Sequence, residues 1–290
     1  MSTLHPRPGR ARRRSLVTAA LLLTAPLVGC SGGEQSTQGE AAFSPDHVHG
    51  LAEEPGTGRL LLATHDGLFA LRADGDAPSA VGELNTDLMG FTVTAGGDYY
   101  ASGHPGPGEE GPAALGLITS GDAGQTWQGV SLAGEADFHA LDAAGSALYG
   151  VDGAVRLLRS VDAGLTWSER TLPEPVADVA ADPGSDALVA TSEAGLLLST
   201  DAGESFSPLT DAPLLMLVDW AEDGGLVGIS PTGQVHTAED ADDEWSEQAT
   251  VDGAVQAMTV TTSGAVYVST QDELLRSDDG GSTFSTVTSY

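Results

Sequence analysis

Apolar and polar positions along this chain fall into short runs separated by Gly, Asp, Ser and Pro clusters rather than into helical stripes. The stretch around residue 180 shows the unit, with apolar runs at 176–180, 187–192, 195–200 and 206–209. Runs of this length bounded by turn formers predict strands, here four to a unit. Alternation within them is imperfect, as expected where both faces of a sheet pack on neighbours.

The turn that closes each unit recurs. Ser120 to Trp127, Ser160 to Trp167, Ser199 to Phe206 and Ser277 to Phe284 share the pattern S-x-D-x-G-x-[ST]-[WF], and an eroded copy ends at Trp245. The closing aromatics stand at 127, 167, 206, 245 and 284, steps of 40, 39, 39 and 39. A sixth, more eroded copy covers 71–78, and a Gly/Pro-rich insert at 103–114 accounts for the longer step after it. A fixed period of this size means a propeller or a solenoid. Six units from about Ser44 to Tyr290 predict an all-β fold, a six-bladed β-propeller of four-stranded antiparallel blades. Seven blades are disfavoured because no free stretch remains to build another.

The turn has a mechanical basis. Its Asp accepts backbone N–H bonds, its Gly takes positive φ, and the aromatic plugs the sheet beneath. The pattern resembles the Asp-box, or BNR repeat, of sialidases, sortilin-like receptors, photosystem II assembly factors and many bacterial lipoproteins. That resemblance makes Asp122, Asp162, Asp201 and Asp279, with Trp127, Trp167, Phe206 and Phe284, scaffold residues. It also puts them on the face away from any active site.

The first 29 residues follow another rule. Five of the 11 basic residues, all arginines, precede a short apolar stretch ending Leu27-Val28-Gly29-Cys30. This is the layout of an export signal, and its end resembles the lipobox of bacterial lipoproteins. The resemblance implies cleavage before Cys30, lipidation of its sulfur, and an extracytoplasmic protein anchored to the cell membrane. Residues 30–43 are then lipidated Cys and flexible linker, and 44–290 the propeller. The mature chain would carry 6 arginines against 42 acids, or 6 − 42 = −36. Such a surface excludes nucleic acid as a partner and contacts the membrane through Cys30 alone. A lone Cys excludes an internal disulfide.

Function in a propeller sits where loops converge on the central channel. Aligning the innermost strands sets His49 and His139 level with Gly90, Asp178, Leu217 and Ala257, with His47 and Asp137 two residues earlier. Loops between second and third strands add His65, Asp66 and His104, and Asp46 lies nearby. Five of the seven histidines therefore map to one mouth, overhung by the insert after His104 as a candidate lid. His47, His49, His65, His104 and His139 with Asp178 suit a transition metal, copper or zinc. Met89, Met216 and Met258 on inner strands would favour copper(I) if they ligate. On a regular strand His47 and His49 would share a face about 7 Å apart. The cluster equally fits a polar plug of mutually bonded His and Asp, or acid/base catalysis with Asp137 and Asp178 as the carboxylates.

The repeat invites comparison with sialidases, which use an arginine cluster, a Tyr nucleophile and an Asp acid/base. Arg59, Arg72, Arg156, Arg159, Arg170 and Arg276 map away from the histidine mouth, so sialidase chemistry is disfavoured. The blocks His47–Leu51, Thr64–Phe69, Met89–Thr92, Ser102–Pro105 and Asp137–Leu141 resemble actinobacterial lipoproteins labelled glycosyl-hydrolase-like. Two expectations stand: a lipid-anchored propeller binding a metal, small molecule or protein at the mouth, or a glycosyl hydrolase acting on something other than sialic acid.

Overall fold

The computed structural model describes residues 43–71 and 77–290. The export signal, Cys30, most of the linker, Arg72 and most of the eroded turn at 71–78 lie outside them. The chain forms six four-stranded antiparallel sheets, each of four consecutive strands: a six-bladed β-propeller. The innermost strands are Val48–Glu54, Asp87–Val93, Phe138–Ala144, Val176–Ala181, Leu217–Trp220 and Val255–Val260. In the fourth blade the strands are Val176–Ala181, Leu188–Ser192, Gly195–Ser199 and Ser207–Leu209, within a residue of the apolar runs at every boundary.

The core is not central. Six apolar clusters hold the ring, one at each junction of successive blades. Leu61, Ala63 and Leu68 of the first blade meet Leu88, Phe91 and Tyr99 of the second. Trp127, Trp167, Phe206, Trp245 and Phe284 each join the cluster shared with the preceding blade. The motif aromatic thus fills a seam between blades, not only the sheet beneath its own turn. Burying apolar area on both faces of every blade is what makes the ring stable.

The last seam joins the sixth blade to the first without exchanging a strand. Phe43 stacks between Phe69 and Tyr290, with ring centroids 4.8 and 5.3 Å away. Val48 N–H donates to Gln256 Oε1 at 3.0 Å. Thr262 donates its N–H and hydroxyl to Glu53 Oε2 at 2.7 and 2.8 Å. Closure therefore rests on side chains.

The four full copies of the repeated turn are superposable in their bonding. In the second, Ser160 Oγ donates to Asp162 Oδ1 at 2.8 Å and accepts Gly164 N–H at 2.9 Å. Asp162 also accepts the N–H and hydroxyl of Thr166 at 2.9 and 2.7 Å. These bonds hold the Asp122 and Asp201 carboxyls down at about 2, Thr126 and Ser205 contributing most, and lower Asp162 and Asp279 likewise. A Cβ on Gly164 would fall 2.0 Å from Leu117 Cδ2 of the preceding blade, so glycine there permits the blades to touch.

The residue before that glycine is also left-handed, at φ 59° in Ala123 and 58° in Ala163 and Ala202. Gly280 takes this position in the fourth copy, at φ 67°. A left-handed alanine costs roughly 1–2 kcal/mol, which glycine avoids at the cost of a more disordered unfolded chain. Ala163→Gly should therefore raise the thermal midpoint by about 1–4 °C, on the order of 0.5–1 kcal/mol. A fall in the midpoint by calorimetry would overturn the strain argument.

Candidate functional site

The inner strands share one irregularity. In blades one, two, three, four and six the pairing with the second strand slips by one residue near the strand start, between Val48/Gly50, Leu88/Phe91, Phe138/Ala140, Val176/Asp178 and Val255/Ala257. A bulge of this kind inserts an unpaired residue and re-aims its side chain. His49 and His139 are bulged residues. The observed register also corrects the sequence alignment. Gly50 and Ala140, not His49 and His139, stand level with Gly90, Asp178, Leu217 and Ala257. Met89 and Gln256 are the true counterparts of the two histidines, and Asp87 is the counterpart of His47 and Asp137.

That register brings Asp87, which sequence reasoning missed, into the histidine cluster. His65 Nδ1 lies 2.8 Å and His49 Nε2 3.7 Å from Asp87 Oδ1. The two imidazole nitrogens are 3.4 Å apart. One donor atom from each of these three residues thus falls within 4.8 Å of the others. The His47 ring stands 4.5 Å from that of His49, closer than the about 7 Å between i and i+2 positions on a regular strand. His139 and His104 place Nε2 at 3.0 and 3.4 Å from Asp137 Oδ2. All five mouth histidines are accounted for, in two groups around Asp87 and Asp137.

Electrostatics favour neutral imidazole at the centre of this cluster. Burial, followed by the charges of His47, His65, His139 and His104, lowers His49 to about 3. His47 is lowered too, by burial and then His65. A neutral His49 keeps a lone pair for a cation at physiological pH. His236 lies in the third strand of the fifth blade, buried away from the mouth.

Asp178 takes another place. Its oxygens accept Val179 N–H at 2.9 Å and Val218 N–H at 3.0 Å, the second from the next blade. Asp142 likewise accepts Ala181 N–H at 2.7 Å, and Asp219 accepts Val260 N–H at 2.7 Å. These three carboxyls latch successive inner strands together along the channel wall. The cavity they line, of about 480 Å³, also touches His49, His139 and Met89. Burial is the first cause that raises Asp142 and Asp178 to about 7 and Asp219 to about 6; repulsion by Asp219 adds to the shift of Asp142 and Asp178.

Asp46 and Asp66 are exposed and outside the three-residue cluster. The insert after His104 is pinned at its root rather than hanging free. Glu109 Oε2 accepts Thr86 Oγ1 at 3.1 Å and Gly106 N–H at 2.8 Å. One arginine departs from its expected place. Arg156 opens the third strand of its blade at the histidine end, where Asp152 holds it at 2.8 Å. Arg59, Arg159, Arg170 and Arg276 are engaged by Glu54, Tyr149, Glu204 and Asp278. Among the described residues there is no free guanidinium cluster at the mouth.

No protein-family model matches the chain, and no curated protein matches it. Solved structures do. The chain resembles a YCF48 protein bound to a D1 peptide, at 15% identity and TM-score 0.54, over 84% of this chain and 82% of that one. It resembles a gluconolactonase of Xanthomonas campestris at 15% identity and TM-score 0.64, over 78% and 84%. It also resembles the GH74 enzyme of Niastella koreensis at 17% identity and TM-score 0.62, covering 85% of this chain but 46% of that enzyme. At these identities the likeness shows the propeller fold alone.

The latch carboxyls generate a pH test. Each is raised above the roughly 3.9 of an unfolded Asp, so the folded state binds more protons from about pH 4 upward. Their stabilising contribution is full below pH 4 and lost as pH rises through about 7. The lowered histidines act in the opposite sense, so the difference between two proteins isolates the effect. The gap in thermal midpoint between wild type and Asp142→Asn should shrink from pH 5 to pH 8. An unchanged gap would overturn the assignment.

Proposed function

We propose that this chain is a lipid-anchored, extracytoplasmic binding propeller that holds a transition-metal ion, copper or zinc, at its channel mouth. The observation that carries it is the convergence of His49, His65 and Asp87 within 4.8 Å. Two imidazoles and a carboxylate are the donor types that suit divalent copper and zinc. His49, held neutral, needs no proton removed before it ligates. The anchor rests on Cys30 following Leu27-Val28-Gly29, and the propeller on Asp-box turns of the kind shared with sialidases and lipoproteins.

A hydrolase is the second reading, supported by the 3.0 Å pair of His139 and Asp137. A sialidase is not supported, since the described arginines are tied to other residues. Asp178 is committed to the inter-blade latch and makes a poor second carboxylate. Binding is therefore preferred.

The full-length protein, purified in detergent and stripped of metal, should take up at least one equivalent of Zn2+ or Cu2+ by titration calorimetry. His49→Ala/His65→Ala should lower that uptake by about one equivalent. A wild type that binds neither ion sinks the proposal. For the anchor, Cys30→Ser should move the protein from the membrane fraction to the medium; retention in the membrane would refute lipidation there.

A further inference from the structure

The metal site uses three positions of the ring: the bulged residue of one inner strand, the loop after the second strand of that blade, and the residue opening the next inner strand. In the first and second blades these are His49, His65 and Asp87. One blade further on, the same positions hold Met89, His104 and Asp137. The bulged residue of the third inner strand, His139, leans onto that same Asp137 at 3.0 Å. The pattern stops on either side. From the third blade to the fourth it reads His139, Gly153 and Pro175, and from the sixth to the first Gln256, Gln271 and His47.

Bonding at the second set leaves a lone pair directed at a carboxylate. His104 Nδ1 lies 2.7 Å from the carbonyl oxygen of Ala113, which can only accept, so Nδ1 carries the proton. In neutral His104, Nε2 is then a lone pair facing Asp137 Oδ2 at 3.4 Å. Two acceptors face each other, and a cation between them would satisfy both. A ligating histidine whose other nitrogen donates to a backbone carbonyl is a recurrent arrangement in metal sites, because that bond sets the tautomer and aims the ring. Asp137 Oδ1 is buried without a partner, while its own N–H is fixed by Asp152 at 3.0 Å. Met89 lines the same cavity as His49 and His139.

We propose that the mouth holds two adjacent transition-metal positions, the second built by His104, His139 and Asp137. It deepens the metal reading above and rests on it. The two sets border one cavity, which His49, Met89 and His139 all line. The propeller's repetition supplies part of the pair: the loop histidine and the opening Asp recur as His104 and Asp137, while Met89 stands at the bulged position and His139 of the next inner strand completes the second set.

Cu2+ is the probe, added to the stripped full-length protein, with stoichiometry from titration and coupling between ions from electron paramagnetic resonance. Wild type should bind two equivalents and give a signal broadened and weakened by the neighbouring ion. His104→Ala/His139→Ala and His49→Ala/His65→Ala should each bind one, with an uncoupled spectrum. Asp137→Asn provides a milder second variant, expected to weaken one of the two equivalents at least 10-fold. One equivalent in the wild type, kept in the His104/His139 pair and lost in the His49/His65 pair, overturns the second position and leaves the first. One equivalent lost in both pairs means a single shared site and also overturns it. No binding by wild type removes both proposals together.

Discussion

Every blade of this protein is apolar on both faces, and that constraint organises the rest. A four-stranded sheet so built cannot bury itself; it needs a neighbour on each side, and only a closed ring gives all six blades two neighbours. The buried side chains accordingly collect in six seams rather than one core, from Leu61 with Tyr99 to Leu62 with Tyr267. The repeated turn serves the same end. Its aromatic enters the seam with the preceding blade, and its glycine brings the backbone against Leu117 in the second copy.

Closing the ring leaves a channel walled by the inner strands. Backbone groups there lie at the joints between blades, and Asp142, Asp178 and Asp219 satisfy the N–H groups of the next blade. Carboxylates are effective latches because they accept from their own strand and its neighbour at once. Burying them in the channel wall raises their affinity for protons, and repulsion by Asp219 adds to the effect on Asp142 and Asp178. Scaffold and candidate site thus use the same residue types, and geometry separates them: latch oxygens are filled by backbone donors, whereas Asp87 and Asp137 face imidazoles.

At the mouth, the bulge is the device that converts scaffold into site. A paired strand would alternate His47, Val48 and His49 between its faces. The unpaired residue instead turns the His49 ring to 4.5 Å from those of both His47 and His65. The same slip in the third blade sets His139 onto Asp137. A loop histidine facing the carboxylate that opens the next inner strand occurs at the first two junctions, His65 with Asp87 and His104 with Asp137, and the other junctions do not repeat the pair.

The sequence by itself determined the ring. A 39-residue period, four apolar runs per unit and a hydrogen-bonded turn are local properties, so six blades and their strand limits could be read without coordinates. It also pointed to the mouth, because a repeat tells which end of each strand a loop belongs to, and five histidines fell at one end. Only the tertiary structure decided which side chains meet. A one-residue bulge leaves no mark in composition or period; it recurs in five of the six blades, and aligning the strands by sequence alone shifts blades one and three by one residue against the others. That shift concealed Asp87, misplaced Asp178 among the ligands, and spaced His47 and His49 too widely. Arg156 was misjudged similarly, since its place at the histidine end follows from strand order rather than from any turn signal. Contacts between blades depend on the closed ring, and closure is a property of all six units together.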